Sequence, residues 1–163
     1  MQIETWRVAG LLAALAVFWI AYADLKDHGK PEPRWRLLQA FGLGALSCAG
    51  ALCVFRLLAW LGISLPDASS LGIAAYCIGV IGPVEEGAKF LVFIWFIRRW
   101  QECDEPVDGY VYASALGCGF ATLENALYLP GMNSFEQLAR AAVLPINHAL
   151  YAAIWGLPLT RAQ

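Results

Sequence analysis

Apolar residues fall into five stretches along this chain, at roughly 7 to 23, 37 to 62, 71 to 97, 109 to 129 and 137 to 159, separated by short polar connections. A helix rises 1.5 Å per residue, so about 20 apolar residues cross the hydrocarbon core of a bilayer. The pattern predicts an all-α, polytopic transmembrane helical bundle of about five helices, forming one domain over 1–163. The first stretch has no small-x-small cleavage pattern before the polar residues that follow it, and Phe18, Trp19 and Tyr22 stand near its end. It reads as a retained helix rather than a signal peptide.

Helix-breaking residues mark the connections: Pro31 and Pro33, then Pro66, Pro106, and Pro130 with Gly131. Pro83 and Pro145 differ, because each falls inside an apolar stretch a few residues before a polar residue. There the ring removes a backbone hydrogen bond and bends the helix, which either opens a wet cavity or helps the bundle pack.

Positive charges divide the connections into two sets. Lys26, Lys30, Arg34 and Arg36 lie after the first stretch, Arg98 and Arg99 after the third, and Arg161 after the last. The other side has only Arg7 and Arg140, both at helix edges. By the positive-inside rule the N-terminus is outside and the C-terminus cytoplasmic.

Composition agrees with a membrane setting: 60% of residues are hydrophobic and 15% charged, where a soluble domain carries about 25% charged residues. The net charge of -2 and the lack of a basic stripe exclude a nucleic-acid partner. The five cysteines form no CxxC pair, which argues against a zinc ribbon or a redox motif. They read as packing residues, with Cys103, in a polar loop, as the one exposed thiol.

Against this background Glu85, Glu86 and Lys89 stand out, three ionisable side chains within five residues and the only charges from Leu71 to Ile97. Each costs roughly 2.5 to 3.5 kcal/mol at mid-membrane on insertion scales, so their presence calls for a function. On a helix Lys89 is four residues from Glu85 and three from Glu86, and either carboxylate can pair with it. The two carboxylates point about 100° apart, which allows different roles. The fourth stretch adds Glu124 and Asn125, with Ser114, Gly117 and Ala121 leading to Glu124 along one small-residue stripe suited to close packing. The fifth adds His148, after Pro145 and Asn147. Arg56 reads as a snorkelling or pairing residue, Asp108 as a helix cap, and His28 as part of a solvated loop.

These blocks together resemble the PrsW family of intramembrane proteases, itself distantly similar to the CAAX prenyl proteases and bacteriocin-immunity proteins. The resemblance runs through Lys26-Asp27 to Pro31-Glu32-Pro33, the EExxK motif Glu85-Glu86-Gly87-Ala88-Lys89, Asp108-Gly109 to Tyr112 with Gly119-Phe120 to Glu124-Asn125, and Arg140 to His148. It implies an intramembrane endopeptidase of a bacterial-type plasma (inner) membrane, making a site-1-type cut in a single-pass, anti-sigma-factor-like substrate. Glu85, Glu86, Lys89, Glu124, Asn125 and His148 are the implied catalytic residues. Glu85 or Glu86 would deprotonate a water, His148 and Asn125 would polarise the carbonyl, Lys89 would fix one carboxylate, and Glu124 would orient the water.

No required cofactor is the favoured expectation, with a divalent ion such as zinc on Glu85, Glu124 and His148 as the other version. Counting residues from the helix ends places the site toward the extracytoplasmic side. Membrane lipid and a homo-oligomeric copy are the remaining expected partners. Members of that family usually continue into further helices with another histidine-containing motif, and the sequence in hand ends at Gln163. A non-catalytic membrane adaptor or immunity protein retaining the fold is therefore the alternative, and a proton- or cation-coupled transporter a third reading.

Overall fold

The computed structural model describes residues 32–65 and 69–161. The first apolar stretch, Arg7, Lys26 to Pro31 with His28, and Pro66 lie outside the described residues. Among the described residues the secondary structure is entirely helical: α1 Arg34–Trp60, α2 Ser70–Tyr76, α3 Gly82–Trp95, α4 Pro106–Tyr128 and α5 Ser134–Arg161. Four of the apolar stretches thus become helical segments close to their expected limits. Arg34–Trp60 and Ser134–Thr160 are each long and apolar enough to cross a membrane.

Local chemistry explains the helix ends. Gly62 leaves α1 with φ 81, a left-handed turn that suits a residue without a Cβ. The Ser69 hydroxyl accepts from the Gly72 N–H at the start of α2. At α4 the reciprocal pair is Glu105 and Asp108: Glu105 is the N-cap, and the Asp108 carboxylate accepts from its backbone N–H at 2.5 Å. Asp108 caps as expected, from the third helical position rather than the cap itself. Asn133 and Glu136 close the same kind of box at α5, with both Asn133 N–H to Glu136 and Glu136 N–H to Asn133 at 3.0 Å.

The two internal prolines behave differently. Pro83 lies in the first turn of α3, directly after a π turn over Cys77–Ile81 in which the Gly82 N–H reaches the Cys77 carbonyl. The π turn shifts the hydrogen-bond register where the ring removes a donor, so α2 and α3 follow one another without a sharp break. Pro145 is a true interior proline of α5, as is Pro158.

Helix α4 is the centre of the bundle. Nearly every residue from Asp108 to Ala121 is buried, with α1 against one side and α5 against the other. Lipid tails are as apolar as leucine, so the helices are held by close van der Waals packing rather than by hydrophobic transfer. Glycine makes the approach possible. A Cβ on Gly119 would fall 1.9 Å from the Phe41 carbonyl oxygen of α1, and one on Gly117 would fall 2.4 Å from the His148 carbonyl oxygen of α5. The stripe through Gly117 and Ala121 therefore faces α5, which brings the His148 turn against the Glu124 end of α4. Toward the other end, the Thr160 hydroxyl donates to the Pro106 carbonyl at 2.9 Å.

Cys103 corrects a sequence expectation. It is 4% exposed and belongs to the core with Phe93, Ile97 and Tyr112. The exposed thiols are Cys53 and Cys77, within helical segments. A polar neighbourhood in sequence says little about burial when the loop folds back beneath the helix ends.

Candidate functional site

Three helices, α3, α4 and α5, bring the ionisable residues together. The first turns of α3 direct Glu85 and Glu86 to different neighbours, as their separation around the helix requires. Lys89, one turn later and fully buried, ion-pairs with Glu86 and not with Glu85. Its Nζ also lies 2.7 Å from His148 Nδ1 on α5. An ammonium can only donate, so Nδ1 accepts and the imidazole proton sits on Nε2. That N–H faces Glu124 Oε2 at 3.1 Å. The other Glu124 oxygen, Oε1, accepts from Arg140 Nη2 at 2.5 Å.

The result is one continuous chain, Glu86–Lys89–His148–Glu124–Arg140, of alternating acceptors and donors. Two cations balance two carboxylates, which is how charge is tolerated where water is scarce. Phe120 backs it from α4, its ring centroid 5.0 Å from the His148 ring and 4.7 Å from Lys89 Nζ.

Glu85 stands apart. It forms no hydrogen bond among the described residues and lines, with Glu124, a small pocket between α1 and α4. Asn125 is 1% exposed, and neither its amide oxygen nor its amide nitrogen has a hydrogen-bond partner. The structure thus joins Glu86, Lys89, Glu124 and His148 directly, sets Glu85 on the adjoining pocket, and leaves Asn125 outside the hydrogen-bonded chain. Arg56, expected to snorkel or pair, is exposed on α1 and forms no ion pair among the described residues.

Two members were not singled out from the sequence. Trp155 donates its indole N–H to Glu86 Oε2 at 3.1 Å while its ring meets Phe90 and Phe93 edge-on at 5.6 and 5.3 Å. Arg140, noted as a helix-edge charge and as the start of the Arg140 to His148 block but given no role in the site, clamps Glu124. A signal existed for Arg140, which precedes His148 by eight residues, about two helical turns, on the same face. None existed for Trp155 in an aromatic-rich chain. Farther along α4, the Tyr112 hydroxyl donates to buried Glu32, tying the segment before α1 to the central helix.

Ligand atoms of Glu85, Glu124 and His148 lie within 4.8 Å of one another. Two carboxylate oxygens and one imidazole nitrogen suit a first-row divalent ion, zinc included, so the residues present fit a metal. Ligation through His148 Nε2 would replace the proton now shared with Glu124.

Residues 32–163 match the family model described as PrsW family intramembrane metalloprotease. The chain is 34% identical over 156 residues to "Protease PrsW" of Geobacillus kaustophilus, covering 95% of this chain and 65% of the relative. It is 36% identical over 156 residues to that of Oceanobacillus iheyensis, at 95% and 68%. With that of Bacillus subtilis it shares 30% over 158 residues, at 95% and 67%. The chain therefore spans about two thirds of the length of these curated relatives. No solved structure matches it.

Proposed function

Because the chain belongs to the PrsW family of intramembrane metalloproteases, we propose that it hydrolyses a peptide bond of a single-pass membrane protein at the cluster of Glu85, Glu124 and His148. The observation that carries this reading is that ligand atoms of those three groups lie within 4.8 Å of one another, with Glu85 and Glu124 lining one small pocket, beside a hydrogen-bonded ion-pair chain. A structural ion-pair network has no need of a third carboxylate without a donor on it. A hydrolase does, because the attacking water must lose a proton.

Glu85, Glu124 and His148 would hold the divalent ion that the family description implies, and when bound it would supply a water acidic enough to ionise near neutral pH. The chain's own groups divide the remaining work. Glu85, with no hydrogen-bond donor on it, takes the proton of the attacking water and passes it to the departing amide nitrogen. A carboxylate has two oxygens, so ligation through one leaves the other for this transfer. Both oxygens of Glu86 are occupied by Lys89 and Trp155, which makes Glu86 a positioning residue for Lys89. Lys89 in turn holds the His148 tautomer, and Arg140 balances Glu124. Both ring nitrogens of His148 are engaged, so polarising the substrate carbonyl falls to Asn125, whose amide is buried without a partner.

The orientation follows from the positive charges: Arg34, Arg36, Arg98 and Arg99 on the cytoplasmic side of a bacterial-type plasma membrane. Glu124 is then close to the extracytoplasmic end of α4, which suits a cut near the outer membrane border of an anti-sigma-factor-like substrate.

The test is cleavage of a panel of single-pass membrane proteins in vesicles by wild type, Glu85→Gln and His148→Ala, each with and without a chelator. Cleavage by wild type that is lost in both variants and in chelator supports the metal-assisted reading. Cleavage that survives the chelator supports a glutamate-dependent, metal-free reaction. A folded wild type that cuts nothing would favour a non-catalytic adaptor.

A further inference from the structure

We propose that Trp155 assigns the two adjacent glutamates of α3 their different roles: its indole N–H holds Glu86 toward Lys89 and so keeps Lys89 off Glu85. It is a positioning residue, and the inference rests on the proteolytic reading above, in which Glu85 handles the proton of the attacking water. Helix geometry by itself leaves the assignment open. Lys89 follows Glu85 by four residues and Glu86 by three, and both spacings bring a carboxylate within reach of the ammonium. Yet Lys89 pairs with Glu86 and not with Glu85. A carboxylate whose lone pairs are held by an ammonium has fewer to offer a water proton, so this choice decides which glutamate can act as the base.

What separates the two glutamates stands on α5. Trp155 follows His148 by seven residues, close to two full turns, so one face of α5 carries both side chains toward α3. There the Trp155 N–H donates to Glu86 Oε2 at 3.1 Å, which leaves Oε1 for the Lys89 ammonium. The indole cannot swing away freely. Its ring meets Phe90 and Phe93 edge-on at 5.6 and 5.3 Å, and Phe93 is fully buried. Glu86 needs this hold because it is the most open member of the ion-pair chain, with 29% of its side chain exposed. Without the indole its carboxylate turns to water, and Lys89 is free to reach Glu85. A hydrogen bond to a charged group biases such a choice by roughly 10- to 100-fold.

The kinetic test replaces Trp155 in the full chain with benzothienylalanine, which keeps both fused rings and carries sulfur in place of the N–H. In vesicles with a single-pass reporter, kcat is expected to fall roughly tenfold or more with KM unchanged. In a Glu86→Ala background the same replacement should change kcat by less than about twofold, because the carboxylate it acts through is gone. A kcat within about twofold of wild type when Glu86 is present, or an equal loss when it is absent, overturns the positioning role.

A second measurement needs no turnover. Glu85→Gln, Lys89→Met and their combination are unfolded in detergent, once with Trp155 intact and once with Trp155→Phe, so that the lost ring area cancels within each cycle. With Trp155 intact the two changes should add. With Trp155→Phe they should depart from additivity by roughly threefold or more in the unfolding equilibrium constant, the sign that Lys89 has reached Glu85. Equal results in the two cycles overturn the positioning role. Coupling that appears only with Trp155→Phe, in a folded wild type that cuts nothing, upholds the assignment of Lys89 to Glu86 and overturns the proteolytic reading instead. Cleavage by wild type with neither the kcat loss nor the new coupling does the reverse.

Discussion

Lys89 Nζ lies 2.7 Å from His148 Nδ1, and this contact ties the EExxK helix to the histidine helix. Lys89 is fully buried and His148 is 5% exposed, so neither can substitute water for its partner. The contact also decides which His148 nitrogen carries the proton, and through it the state in which His148 meets Glu124.

Lys89→Met should therefore cost more than one ion pair. Removing the ammonium leaves Glu86 and His148 facing an apolar side chain, a loss of about 2 to 3 kcal/mol for a network that is partly open at Glu86. Combining it with Glu86→Gln should cost less than the sum of the two single changes, because the second removes a charge the first has stranded. Thermal unfolding of the four proteins in detergent measures the coupling. Additive effects would mean the pair is not energetically linked.

Helix contact at Gly119 predicts a sign reversal between two glycine-to-alanine changes. A methyl group on Gly50 of α1 would meet nothing within 4 Å, so Gly50→Ala should stabilise by about 0.5 to 1 kcal/mol through backbone entropy. At Gly119 the same methyl would meet the Phe41 carbonyl oxygen, and Gly119→Ala should destabilise by about 1 to 3 kcal/mol as α1 and α4 separate. Unfolding midpoints in one detergent compare the two directly.

Glu102 lies in the connection between α3 and α4, where Arg36 Nη2, in the first turn of α1, pairs with it at 2.9 Å and holds its carboxyl below the usual glutamate range. A folded-state pKa below the unfolded value means stabilisation present above about pH 4.3, the ordinary glutamate value, and lost as pH falls through the folded value. Arg36→Gln should lose that component. Stability curves of wild type and variant should differ at neutral pH and converge under acid, by a small amount because the pair is only partly buried at the rim of the bundle.

Burial, followed by the nearby Asp108 carboxylate, pushes the Cys103 thiol up to about 12. At neutral pH it is a protonated, enclosed thiol, so maleimide should label Cys103 slowly in the folded protein and quickly in denaturant. Rapid labelling of the native protein would contradict its place in the core.

The proposed orientation has its own check. Tyr128 is 51% exposed at the end of α4. In a chain with the native cysteines replaced by alanine, Tyr128→Cys should react with a membrane-impermeant maleimide added outside intact cells. Reaction only after the inner face is opened would reverse the topology.

The chemistry-bearing residues were legible without coordinates because charge inside an apolar run is costly wherever the helices end up. Glu85, Glu86, Lys89, Glu124 and His148 are visible on that ground alone, as were four of the helical segments. Trp155 was not, since an aromatic residue in a membrane helix is ordinary until a carboxylate is found beside its indole N–H. Cys103 misleads, because the polarity of its sequence neighbours is no measure of its exposure.

Sequence by itself determined four of the helical segments, a capping role for Asp108 at the start of α4, and the set of ionisable groups, since each depends on residues within a turn or two. The choice of Glu86 over Glu85 as the partner of Lys89 belongs to the tertiary structure. Spacings of three and four residues are equally reachable on one helix, and only the place where α5 delivers His148 and Trp155 breaks the tie. That place is set in turn by how closely Gly117 lets α5 approach α4. The same packing leaves Glu85 without a donor, beside a space scarcely larger than a water molecule.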